Sequence, residues 1–206
     1  MSMVHFYKEG RSQDAPTLVL FHGTGGTEHD LLPLAELISP ESAVLSVRGS
    51  VLENGMPRFF RRLAEGIFDE EDLVRRTGEL RDFLDEAAAK YGLDRSNMIA
   101  VGYSNGANIA ASLIFHEAVS FRGAALHHPM VPRRGLKLPE LNGLPVFIGA
   151  GTNDRICPPH ETEELKSLLA EAGADVGLHW ENYGHQLTGT EVEAAAAWFA
   201  KHFRQG

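Results

Sequence analysis

A chain of 206 residues with 43% hydrophobic and 23% charged side chains is long enough to bury an extensive core without metal or disulfide staples, which excludes a disordered or fibrous protein. Its formal net charge of -9 excludes a phosphate-tracking surface, because nucleic-acid binding draws on clustered Lys and Arg. One cysteine, Cys157, excludes an intrachain disulfide; with no apolar leader and no apolar run long enough to span a bilayer, we expect a cytoplasmic protein without membrane insertion.

Along the chain, short apolar runs rich in β-formers alternate with longer segments of helical period. This is the pattern of an α/β protein with a mostly parallel central sheet and helices on both faces. Strands are predicted over residues 4–7, 17–22 and 43–47, with a helix over 30–38 that stops before Pro40. Residues 48–69, with Gly49, Gly55 and Pro57, read as one long irregular segment, and loops of that length are often functional. A helix over 70–91 ends at Gly92, a left-handed cap that glycine adopts without strain. Then come a strand over 98–102, a helix over 107–116, and strands over 123–127 and 146–149. The span from His128 to Leu144 must both turn and return, leaving little room for a cap, so no lid domain is expected. A helix over 161–172 ends at Gly173, a strand runs over 176–180, and the last helix, 190–202, opens on a capping box of Thr190 and Glu193. No repeat, low-complexity tract or linker interrupts the chain, so a single domain over 1–206 is expected.

The sharpest chemical signal is Gly102-Tyr103-Ser104-Asn105-Gly106, placed after an apolar strand and before an alanine-rich helix. Such a strand-to-helix elbow presents a serine hydroxyl above the sheet edge, and its glycines let strand and helix approach closely. A serine hydroxyl needs a base, and the base needs a third group to hold its tautomer. Asp154 and His185 follow in that order, each just past a later strand, so that all three residues fall at the carboxyl edge of the sheet. Asp175 precedes its strand and His179 lies inside it, which places both less well. Backbone N–H donors for a developing oxyanion are expected at Asn105, after the nucleophile, and at Thr24, in the loop His22-Gly23-Thr24-Gly25. That loop lacks the spacing of a phosphate-binding motif.

Four motifs, His22-Gly23-Thr24-Gly25, Gly102-Tyr103-Ser104-Asn105-Gly106, Gly151-Thr152-Asn153-Asp154-Arg155-Ile156-Cys157-Pro158 and Tyr183-Gly184-His185, resemble those of the phospholipase/carboxylesterase family of α/β-hydrolases, small lidless esterases that include acyl-protein thioesterases. The resemblance runs along essentially the whole chain and departs from the family at Cys157, where valine is usual. It implies the α/β-hydrolase fold, a nucleophile Ser104, acid Asp154, base His185 and oxyanion donors at Thr24 and Asn105. The segments 58–62 and 66–72 are similar to a bacterial carboxylesterase subgroup, which implies small soluble esters as substrates. Homodimers are common in the family. The competing readings are a thioesterase or lysophospholipase acting on long acyl chains, and a ligand-binding protein of this fold without turnover.

Phe59, Phe60, Phe68 and Ile156 are candidates for the apolar wall of a shallow open site, although the phenylalanines could instead pin their loop to the body. Arg58, Arg61 and Arg62 either bind a substrate carboxylate or pair with the acidic run 69–72, the second being favoured on composition. His128, leaving a strand at the same edge, is a candidate substrate contact. No cofactor is needed, and no metal is expected there because no Cys or acidic partner lies at ligand spacing beside it in sequence. Cys157 is expected to pack near the site, with a thiol open to alkylation.

Overall fold

The apolar runs become strands buried between two layers of helices. In the computed structural model, which describes residues 3–117 and 120–203, the chain runs through β1 (His5–Lys8), β2 (Thr17–Phe21), α1 (Leu32–Ile38) and β3 (Val44–Val47). Four short strands follow, β4 (Val51–Glu53), β5 (Met56–Arg58), β6 (Arg62–Ala64) and β7 (Ile67–Phe68). The rest comprises α2 (Glu70–Tyr91), β8 (Met98–Tyr103), α3 (Asn105–His116), β9 (Gly123–His127), β10 (Pro145–Gly151), α4 (Pro159–Glu171), β11 (Asp175–Glu181) and α5 (Gly189–Phe203). Among the described residues, no helix is long and apolar enough to cross a membrane.

The main sheet has the order β1-β3-β2-β8-β9-β10-β11, with β1 antiparallel to β3 and every other pair parallel. Because side chains alternate across a strand, Leu18 and Leu20 enter one apolar cluster with Leu34 and Ile38 of α1 and Trp198 and Phe199 of α5. Val19 and Phe21 enter the other, with Leu80 and Leu84 of α2, Leu113 of α3 and Leu165 of α4. From β2 the chain turns to β3 on one side, and from β8 to β9 on the other. The connections therefore diverge between β2 and β8, which opens a crevice at their carboxyl ends. Ser104 and Thr24 emerge there.

The sequence reading of 48–69 as one irregular loop is corrected. It folds as two antiparallel hairpins, β4 on β5 and β6 on β7. The first turns at Asn54-Gly55, with φ of 51° and 80°, the residue pair that tight hairpin turns prefer. Between β9 and β10 no helix or strand forms, so no lid is inserted. Gly92 caps α2 with φ 65°. The capping box at Thr190 and Glu193 is replaced: α5 starts one residue earlier, and the Thr188 hydroxyl accepts from the Glu191 N–H at 3.2 Å.

Candidate active site

The elbow forces Ser104 to φ 52° and ψ -116°, a region a side-chain-bearing residue enters only when its surroundings compel it. Packing on both sides supplies that compulsion. A Cβ on Gly102 would lie 2.7 Å from the Ala107 backbone, and one on Gly106 would lie 2.0 Å from the Phe21 carbonyl oxygen. The Ser104 N–H donates to the His127 carbonyl at 2.8 Å, which ties the turn to β9.

Asp154 and His185 arrive on the loops after β10 and β11. The Asp154 turn closes on its own side chain, Oδ1 accepting from the N–H groups of Ile156 and Cys157 at 2.8 and 2.9 Å. Oδ2 accepts from His185 Nδ1 at 2.7 Å, and His185 Nε2 lies 2.8 Å from Ser104 Oγ. A carboxylate only accepts, so Nδ1 carries the ring hydrogen and Nε2 offers its lone pair to the serine hydroxyl. Burial alone would raise the Asp154 carboxyl, but bonds from His128, His185 and the Cys157 N–H outweigh it and hold Asp154 well below the usual carboxylate range. The His185 loop is itself held: Tyr103 Oη donates to the His185 carbonyl at 2.6 Å, and the Gly184 N–H donates to Asn153 Oδ1 at 2.7 Å. This arrangement can remove a proton from Ser104 and return it to a leaving group.

Thr24 and Asn105 line the same cleft as Ser104. Asn105 opens α3, where the first-turn donors have no partner within the helix and the helix dipole favours negative charge. Thr24 is set by its neighbours. His22 Nδ1 donates to the Gly23 carbonyl at 2.6 Å while Nε2 accepts from the Gly49 N–H at 3.0 Å. In a planar trans peptide the next N–H points opposite to that carbonyl, so the Thr24 N–H faces away from His22. The Thr24 hydroxyl accepts from Arg58 Nη1 at 2.6 Å, and the Gly25 N–H donates to the Pro57 carbonyl at 2.9 Å.

A cleft of about 340 Å³ lies over Ser104, His185, Thr24 and Asn105. Its far wall is built by the hairpins, through Arg58, Arg62, Glu65 and Phe68, and its near side by Tyr103, Asn108, Met130, Ile156 and Cys157. Phe68 and Ile156 therefore face the cleft as the sequence suggested. Phe59 and Phe60 do not. Both are buried in the core, Phe59 edge-on to Phe21 and Phe60 edge-on to Phe68; they lie in the link between β5 and β6, where the Phe59 N–H is held by Asn105 Oδ1 at 2.7 Å. His128 is also corrected as a substrate contact: it is 1% exposed and points behind Asp154, away from the cleft.

The arginines divide. Arg61 pairs with Asp69 at 2.9 Å, within the acidic run, but Arg58 and Arg62 pair with Glu53 at 3.2 and 2.9 Å, a partner outside that run. Cys157 touches the cleft but is 3% exposed, and burial together with the Asp154 charge pushes its thiol far above the ordinary range. A neutral, enclosed thiol is a poor nucleophile, which corrects the expected sensitivity to alkylation. Native protein incubated with iodoacetamide at pH 7.5, roughly one unit below an unperturbed thiol, should stay unmodified at Cys157 by intact mass and keep its activity.

Sequence reasoning did not find Glu191, Asn153 or the contact of His128 with Asp154. Only folding brings α5 and the β9 end to the back of Asp154. One ring nitrogen each from His128 and His185 and an Asp154 oxygen lie within 4.8 Å of one another. Both Nδ1 atoms point at the same carboxylate oxygen as hydrogen-bond donors, the geometry of a proton network.

Comparison with known proteins agrees with this fold. The family model for phospholipase/carboxylesterase proteins matches residues 4–203. MhqD of Bacillus subtilis (strain 168) is 58% identical over 197 residues, which cover 96% of this chain and 98% of that protein. The crystal structure of the Bacillus cereus carboxylesterase is 64% identical with a TM-score of 0.97, over 98% of this chain and 95% of that one. The structure of YahD with malic acid is 35% identical with a TM-score of 0.93, over 97% and 99%.

Proposed function

Since the chain belongs to the phospholipase/carboxylesterase family of α/β-hydrolases, we propose that it is a serine carboxylesterase that cleaves small, soluble esters through an acyl-enzyme on Ser104. Ser104 Oγ attacks the ester carbonyl carbon as His185 Nε2 takes its proton, and Asp154, ionised throughout, stabilises the imidazolium. The oxyanion is received by the N–H groups of Thr24 and Asn105. Collapse breaks the carbon–oxygen bond of the alcohol, which leaves with the proton from His185. Water then attacks the acyl carbon by the same path, releasing the acid and restoring Ser104.

The observation that carries this reading is the continuous path from Ser104 Oγ to His185 Nε2 at 2.8 Å and from His185 Nδ1 to Asp154 at 2.7 Å. The size of the cleft, about 340 Å³, is near the lower end of the roughly 300–1,000 Å³ typical of small-molecule sites. Its far wall carries Arg58, Arg62 and Glu65, which long methylene chains would have to desolvate at a cost. Both features support short acyl groups.

A fluorophosphonate should add one adduct, at Ser104, as read by intact mass and peptide mapping; an unlabelled Ser104 rejects the nucleophile. Across p-nitrophenyl esters of graded length, kcat/KM should peak at acetyl to butyryl and fall at least about tenfold by decanoyl, a loss of roughly 1.4 kcal/mol. A maximum at long chains, or on acyl thioesters, would favour a thioesterase or lysophospholipase. Binding without turnover of any ester would leave a non-enzymatic receptor.

A further inference from the structure

The hydrogen-bond path does not stop at Asp154. Its Oδ2 also accepts from His128 Nδ1 at 3.0 Å, and His128 Nε2 lies 3.0 Å from Glu191 Oε2, while Glu191 Oε1 accepts from His127 Nδ1 at 2.5 Å. All four side chains are buried, and two buried carboxylates persist only when charge and hydrogen bonds compensate them. The backbone is adapted to this cluster. His128 takes φ 52°, and Gly149 leaves a space that a Cβ would close, at 2.0 Å from Glu191 Oε1.

A proton count fixes the state of His128. Each of its ring nitrogens faces a carboxylate oxygen, which only accepts, so both nitrogens carry hydrogen and the ring is an imidazolium. We propose that His128 and Glu191 are positioning residues for ester hydrolysis, a buried imidazolium–carboxylate pair that fixes Asp154 from behind and limits how firmly Asp154 holds the proton of His185. This rests on the serine esterase reading above.

Burial alone would lower His128, but its bonds to Asp154 and Glu191 outweigh that and push it up to about 9. Glu191 is raised by burial, yet the bonds from His127 and His128 bring it down to about 2. The other groups facing His128 are the His185 ring, with centroids 5.2 Å apart, and the Tyr103 ring at 6.0 Å. Burial and the Asp154 charge push Tyr103 up to about 12, so it is neutral; Cys157 beside Asp154 is neutral too. Between pH 6 and 8 the sequence of charges is therefore negative on Asp154, positive on His128 and negative on Glu191. The net charge equals that of a lone Asp154, but its negative end is moved away from His185, and a cation stands next to it. Removing that cation leaves two buried carboxylates behind the His185 ring, so the acid side of the activity profile is where its loss is read.

The test uses two readouts on the intact chain. In ¹⁵N-histidine NMR, His128, assigned by its loss in His128→Asn, keeps both ring nitrogens protonated from pH 6 to 8; in Glu191→Gln it titrates within that interval. Asparagine is chosen because it tolerates a left-handed backbone. In kcat/KM profiles for p-nitrophenyl acetate, His128→Asn moves the acid limb up by about one unit, the lower end of what a close charge produces. A neutral His128 at pH 7 in the wild type overturns the proposal, as does an unmoved acid limb in a His128→Asn protein with wild-type circular dichroism. If that variant does not fold, the Glu191→Gln titration decides. The NMR readout requires no turnover, so an inactive wild type would reject the esterase reading while leaving the charged pair measurable.

Discussion

Ser104→Ala lowers kcat/KM on p-nitrophenyl acetate by up to about 10⁶-fold, the loss expected when the nucleophile of a concerted relay is removed. Alanine keeps the Cβ that the elbow already accommodates at φ 52°, so the fold and the cleft are preserved and KM changes little. What remains is rate enhancement from the Thr24 and Asn105 N–H groups and from binding, which acts on direct attack by water. On the proposed mechanism Ser104, His185 and Asp154 act as one unit, so His185→Ala added to Ser104→Ala should cost almost nothing more. Initial rates at several enzyme concentrations measure this, with a tagged wild type purified in parallel to bound contamination. A Ser104→Ala enzyme within tenfold of wild type would mean that another group attacks the ester.

Gly106→Ala is expected to destabilise the protein by about 3 kcal/mol or more, at the upper end for overpacking. The added carbon would meet Phe21 O at 2.0 Å, Phe21 C at 2.4 Å and His22 O at 2.5 Å. All three are backbone atoms, so no side chain can rotate away. Either α3 lifts from the sheet or β2 bends, and β2 is fixed between β3 and β8. Bending β2 also shifts His22 and, with it, the Thr24 peptide, so activity falls with stability. The contrasting variant is Gly78→Ala in α2, where nothing lies within 4 Å of the added carbon; it should gain roughly 0.5–1 kcal/mol from helix propensity. Urea denaturation midpoints compare the two. A Gly106→Ala midpoint equal to wild type would contradict the close packing of α3 on β2.

Much of this architecture was readable in the residues. Five of the main strands, β2, β3, β8, β9 and β10, follow runs buried on both faces, and their alternation with helices leaves few arrangements open. Ser104, Asp154 and His185 were readable because each follows an apolar run, and a position after a strand in a parallel sheet is also a position at one edge. The hairpins were less visible: four strands of two or three residues carry too few alternations to register, although Asn54-Gly55 was a usable turn signal. Phe59 and Phe60 lie in the link between the two hairpins, where no strand alternation sets a direction, and both turned inward. His128 was misplaced because its left-handed backbone reverses the direction that strand alternation would give it. Glu191 offered no signal at all, since an acidic residue in the first turn of a helix is ordinarily solvated there.

The hairpin wall and the proton path come from different stretches of chain. Ser104, Asp154 and His185 leave β8, β10 and β11, whereas Arg58, Arg62, Glu65 and Phe68 lie on a strip inserted between β3 and α2. On the proposed esterase reading, the residues that react and the residues that select therefore sit on separate stretches of chain, so exchanging this strip would reshape the cleft wall and leave the Ser104–His185–Asp154 path in place.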